Sequence, residues 1–168
     1  MPSWVVDAGG VYVAPEDVGA PRVLDAGAVA ILTAWVERLV PGDEHWPSAA
    51  STPAVAYIDA MLQRAPAVQP AVLAAIAALA ERNFLALGTG ERVAALQALE
   101  ASEELGGVFA SVLEMTLEAY YRDPAVEAVV RERTGFDTRL TMVGTPLPPF
   151  DESRLERVRS LTPRYRQA

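Results

Sequence analysis

The chain has 168 residues, with 22 acidic residues against 14 arginines, no lysine and no cysteine. A net charge of −8 argues against nucleic acid or an anionic membrane surface as a partner. Without thiols there are no disulfides, thiolate metal sites, iron–sulfur ligands or covalently attached c-type haem. Hydrophobic residues make up 51% of the chain, so a folded core is expected, and a chain of this length buries roughly 70% of its unfolded surface. The charge is uneven. Residues 1–121 hold 15 acids and 5 arginines, whereas residues 122–168 hold 7 acids and 9 arginines.

The N-terminal "MPSWVVDAGGVYV" has neither a basic region nor a long apolar run, so no secretory or twin-arginine leader is expected and the protein is read as cytoplasmic. Residues 4–6 and 11–13 are β-prone and flank "DAGG", which suits a small hairpin or an extended arm over residues 1–24. A helix is predicted over residues 25–40. Ala28, Ile31, Leu32, Trp35 and Leu39 share one face, Asp25 is its N-cap, and Pro41-Gly42 stops it. A second helix begins with Thr52 as N-cap and Pro53 in its first turn, with Val55, Ile58, Met61 and Leu62 inward.

Pro70 opens a third helix running to about Leu87. Its most apolar part, "AVLAAIAALA" at residues 71–80, is far short of the ~20 residues that cross a bilayer and reads as buried. Thr89 caps a fourth helix with Val93, Leu96 and Leu99 inside. Ser102 caps the longest, whose apolar face is Leu105, Phe109, Val112, Leu113, Thr116, Leu117 and Tyr120. Asp123-Pro124 starts the next, and Gly135 ends it. After that "GTPLPPF" forbids helix, and a short helix is expected over residues 151–161. The class is all-α: about five to six helices over residues 25–135, flanked by an N-terminal arm (1–24) and an extended Pro/Arg-rich C-terminal arm (136–168).

Candidate chemistry is sparse. The only histidine, His45, lies in "LVPGDEHWPSAAS" beside Asp43, Glu44 and Trp46. One histidine with two carboxylates is short of the usual two-histidine iron triad, and neither HExxH nor a G-x-S-x-G elbow accompanies Ser48 and Ser51. A corner between helices is the default. Glu114 and Glu118 are one turn apart but lack the Glu-x-x-His pairs of di-metal bundles. "LGTGE" at residues 87–91 is similar to a phosphate loop but has no third glycine, preceding strand or lysine. In "YYRDP" at residues 120–124, adjacent helical residues point about 100° apart, so one tyrosine packs inward and Tyr121 sits at the boundary.

Four segments occur in a telling order: "ILTAWVERLVPGD" (31–43), "AVAYIDAML" (54–62), "RVAALQALE" (92–100) and "VFASVLEMTLEAYYRDPAV" (108–126). An amphipathic helix ending in "PGD", a proline-containing loop, a "YID" helix and a long helix ending in "YY" before "xP" together resemble the gluconate 2-dehydrogenase subunit 3 family. Members resemble the small, or gamma, subunit of FAD-dependent dehydrogenases of the glucose–methanol–choline group. The resemblance spans about residues 24–126. It implies a non-catalytic accessory subunit that supports folding, stability or assembly of a large chain. That large chain holds FAD and oxidises a sugar or alcohol, so no cofactor or metal is expected here. Pro41, Gly42 and Asp43 match the corner motif, and His45 does not belong to it. Many members carry a twin-arginine leader, a departure that favours a cytoplasmic complex here.

The partner interface is expected at Tyr121 and along the arm, at Leu147, Phe150, Leu155, Arg157, Arg164, Tyr165 and Arg166, because arginine and tyrosine are favoured at interfaces. The rival readings are a free-standing helical enzyme centred on His45, or a helical module for a small apolar ligand or another protein.

Overall fold

Asp25 opens the first helix by accepting the Ala28 N–H at 2.7 Å, which satisfies one of the donors that a helix start leaves free. The resulting α1, Ala26–Leu39, is the hub of the computed structural model, which describes residues 18–137 and 151–160. It packs against α2 (Ala54–Arg64), α3 (Gln69–Glu81), α4 (Thr89–Glu100) and α5 (Gly106–Tyr121). Its predicted stripe holds. Ala28, Ile31, Leu32 and Trp35 are buried, and Leu39 leans on the same core. Trp35 is fully buried and stacks on Phe109 of α5, ring centroids 6.0 Å apart.

Thr52 does not cap α2. Its hydroxyl donates to the Ala49 carbonyl at 2.8 Å, closing a 3-10 turn over Ala49–Ser51, and Pro53 takes the N-cap position. The third helix is shorter than its spacing suggests. Asn83 adopts a left-handed conformation (φ 52°) just after α3, and a second 3-10 turn, Phe84–Ala86, drives Phe84 into the core. Arg92 holds that turn. Its Nε and Nη2 donate to the Phe84 and Leu85 carbonyls, and its guanidinium sits 5.7 Å from the centre of the Phe84 ring.

Residues 71–80, expected to be buried, are buried on one side only. Val72, Ala75, Ile76 and Leu79 face the core, while Ala71, Leu73, Ala74, Ala77 and Ala80 are exposed. The reason is architectural: α3 packs against α1 and α5, and nothing among the described residues covers its other side. In α4, Leu96 and Leu99 are inside as expected, but Ala95 replaces Val93, which is exposed.

Between α4 and α5, Ser102 accepts the Leu105 N–H at 3.2 Å, one turn before the helix proper. Gly106 then passes so close to the end of α4 that a Cβ there would meet the Glu100 carbonyl oxygen at 2.5 Å. The buried stripe of α5 is Phe109, Val112, Met115, Thr116, Ala119 and Tyr120, leaving Leu117 exposed. Asp123 caps α6 (Pro124–Thr134) by accepting the Ala125 N–H at 2.9 Å, and Gly135 ends it at φ 72°. The described residues are helical and contain no strand, so the all-α class is correct.

The chain divides into two units, Met1–Phe136 and Asp137–Ala168. The second contains a 3-10 turn, Glu152–Leu155, capped by Asp151, and a single helical turn, α7 (Glu156–Arg159). An Arg159–Glu152 ion pair at 3.2 Å spans the two. The hairpin expected near residues 4–13 and the "GTPLPPF" segment lie outside the described residues.

Candidate functional site

The motif residues converge where the α1–α2 corner meets the C-terminal end of α5. Gly42 turns the corner at φ 75°, and a Cβ there would lie 2.6 Å from the Ser48 backbone nitrogen and 2.8 Å from the Trp46 carbonyl oxygen. Only glycine accepts both the conformation and the approach. Asp43 closes the turn: its carboxylate accepts the His45 and Trp46 N–H groups at 2.7 and 2.9 Å. Those two bonds, the His45 one foremost, hold its pKa below the ordinary carboxylate value, with smaller help from the charges of His45 and Arg133. The Ala49 N–H returns to the Val40 carbonyl at 3.0 Å.

His45 enters this corner through its backbone N–H alone, and its residue is exposed. Its imidazole makes no hydrogen bond or ion pair to any described residue. No group of three or more His, Cys, Asp or Glu side chains among the described residues is placed to hold a metal ion. His45→Ala is therefore expected to leave the melting temperature within about 1–2 °C and the activity of any complex nearly unchanged. A 100-fold activity loss in a folded variant, seen by circular dichroism and turnover assay, would establish the enzyme reading.

Tyr120 ties the corner to α5. Its hydroxyl donates to the Pro47 carbonyl at 2.8 Å across 73 residues of chain. Burial raises the pKa of this phenol, and Tyr121, Asp43 and Asp123 add to the rise, so it remains a donor at neutral pH. Tyr121 stands edge-on to Tyr120, centroids 5.3 Å apart, and is 55% exposed. One tyrosine is thus inward and the next at the boundary, as the 100° step requires.

Asp59, the aspartate of the "YID" motif, has a structural role that the sequence alone did not assign it. It is 1% exposed, and its carboxylate gathers the segment before α1. Oδ2 accepts the Arg22 N–H at 2.8 Å, and Oδ1 accepts those of Val23 and Leu24 at 2.9 and 2.8 Å. Gln63 Nε2 donates at 2.7 Å. The available signal was a carboxylate set among Val55, Ile58 and Leu62, inside the apolar side of a helix.

Beside it, Arg122 reaches Tyr57 and Glu118. Its guanidinium lies 5.7 Å from the centre of the Tyr57 ring, and Nη1 is 3.4 Å from both Tyr57 Oη and Glu118 Oε1. A mostly apolar groove of about 230 Å³ opens here, lined by Val18, Pro53, Tyr57, Ala119, Arg122, Asp123 and Pro124. Asp123 is already committed to capping α6, so the groove offers shape and apolar contact rather than a positioned base.

The remaining candidates dissolve into local structure. Glu118 pairs with Arg122, while Glu114 is exposed. In "LGTGE", the Gly88 N–H that a phosphate would need is given to Glu91 Oε2 at 2.8 Å. Of the expected interface residues, Tyr121 is exposed on α5, Leu155 is half-buried in the second unit and Arg157 falls within α7. Leu147, Phe150, Arg164, Tyr165 and Arg166 lie outside the described residues. No helix of the described residues is long and apolar enough to cross a membrane.

The corner glycine, the Asp59 anchor, the Tyr120 tie and the Asp123-Pro124 start are thus the points at which the recognised motifs hold the helices together. No curated protein and no solved structure matches the chain. The family model described as gluconate 2-dehydrogenase subunit 3 matches residues 26–136, from the first residue of α1 to just beyond the glycine that ends α6. On that match, laid over the helical body and carrying the motif residues that build it, the chain belongs to the gluconate 2-dehydrogenase subunit 3 family.

Proposed function

We propose that this chain is a non-catalytic accessory subunit, working in the cytoplasm with a large FAD-dependent chain that oxidises a sugar or alcohol, and that it supports the folding, stability or assembly of that chain. The family match over the whole helical body carries the reading. The site geometry is in keeping with it: Asp43, Asp59, Tyr120 and Asp123 are engaged in hydrogen bonds that hold the fold. Such groups are poor candidates for moving protons in a reaction. Tyr121, exposed beside the tied Tyr120, and the basic C-terminal arm are the contacts assigned to the partner.

The test is co-expression with the flavoprotein chain, purification through a tag on the small chain, and an absorbance scan. Visible flavin bands and dehydrogenase activity are expected in the co-purified material, and neither in the small chain expressed alone. Flavin bound to the small chain by itself would sink the accessory reading.

A further inference from the structure

Val18, where the described body begins, lines the groove together with Pro53, Tyr57, Ala119, Arg122 and Pro124. It packs against the core, and a few residues later Asp59 pins the chain by accepting the Arg22, Val23 and Leu24 N–H groups. The chain that precedes Val18 is therefore delivered to the rim of the groove. Its sequence is Val11-Tyr12-Val13-Ala14-Pro15-Glu16-Asp17, an apolar run followed by two acids. At roughly 3.3 Å per extended residue, that run lies within about 10–25 Å of chain from Val18. The groove holds about 230 Å³, less than the roughly 300–1,000 Å³ of small-molecule sites. Its size suits one or two side chains rather than a cofactor.

We propose that residues 11–17 of the same chain dock in this groove: the run from Val11 to Pro15 fills its apolar part, and Glu16 and Asp17 lie toward the Arg122 guanidinium. Continuity selects the occupant. A tether this short holds the run at an effective concentration in the millimolar range, which any separate chain has to outcompete. Charge agrees. Arg122 carries the positive charge of the groove, 5.7 Å from the centre of the Tyr57 ring, whereas the carboxylate of Asp123 is turned to the Ala125 N–H. Acids that arrive beside the groove therefore meet a charge of opposite sign. Val11, Tyr12 and Val13 leave water only where an apolar surface receives them, and the groove is such a surface at the end of their own tether. The same segment from a second copy would bring another −8 against this chain. The contact lies within one chain and is independent of the accessory reading.

The full chain has no cysteine, so an introduced pair reports a single contact. Ala14→Cys is combined with Pro124→Cys, an exposed position at the start of α6. The protein is oxidised under dilute conditions and followed by mass spectrometry. The same pair is then placed in a chain that also carries Val11→Ser, Tyr12→Ser and Val13→Ser, which keeps the tether and removes the apolar run. The disulfide within one chain is expected to form roughly tenfold faster or more with the apolar run present. Equal rates would mean that the tether alone brings the cysteines together, and would overturn the docking. Disulfides formed only between chains would give the groove to a second copy and overturn it as well. Amide exchange checks the contact in the unaltered chain. Residues 12–14 are expected to exchange roughly tenfold more slowly, or slower still, than in a free peptide of the same sequence. Exchange at the free-peptide rate would overturn the proposal.

Discussion

Asp59→Ala is expected to destabilise the chain by about 3–5 kcal/mol, a fall in melting temperature of roughly 10 °C. The substitution removes the one carboxylate that accepts from Arg22, Val23, Leu24 and Gln63. The Leu24 N–H is buried, so it cannot recover a bond from solvent and bears the full cost of desolvation. The segment before α1 should then detach, and amide exchange at residues 22–24 should accelerate before the helices open. If thermal melting shifts by less than 2 °C while residues 22–24 keep their protection, the anchor assigned to Asp59 is wrong.

The same carboxylate predicts a pH dependence. Burial is the largest single influence and pushes its pKa up, but the backbone bonds from Arg22, Leu24 and Val23 and the Gln63 bond together outweigh it. The folded pKa therefore lies below the ordinary value. An unfolded aspartate protonates near pH 3.9, so the stabilisation is fully present above that value and is lost as pH falls through the folded pKa. Denaturant unfolding at pH 7 and pH 3 should show a larger acid loss for the wild type than for Asp59→Asn, which has no charge to lose. Equal losses would remove Asp59 from the acid response.

Gly42→Ala is the second large effect, about 3 kcal/mol or more. A left-handed residue other than glycine costs ~1–3 kcal/mol, and here the added Cβ also meets the Ser48 backbone nitrogen at 2.6 Å and the Trp46 carbonyl at 2.8 Å. Both contacts are backbone, so neither neighbour can move aside by changing rotamer. Gly135 isolates the two contributions. Its φ of 72° matches, but nothing lies within 4 Å of a Cβ built there. Gly135→Ala should thus show the conformational cost alone. Equal destabilisation of the two variants in chemical denaturation would mean that the close approach at the corner contributes nothing. The Gly42 variant should also weaken the Tyr120–Pro47 bond, since Pro47 lies between the residues that would have to shift.

The short-range features of this protein were determined by its sequence alone. Asp25 and Asp123 cap helices, Gly135 ends one and Pro41-Gly42 stops another, because each signal acts within a turn of its own position and needs no distant partner. The all-α class and the family follow from the same local order of helices and corners. The Gly42 requirement was half visible: the turn shows in the sequence, the collision with Ser48 does not.

What only the tertiary structure decided depends on residues far apart in the chain. Asp59 is an anchor because residues 22–24 cross α2 there, and Tyr120 a tie because Pro47 lies opposite it. Gly106 is required because the end of α4 passes within reach. Periodicity names the apolar side of a helix but not whether a neighbour covers it. That is why Val93 and Leu117 are exposed where the spacing places them inside. It is also why α3, apolar on every side, has one face that no described residue covers: the helices of one body can bury only the side turned toward them.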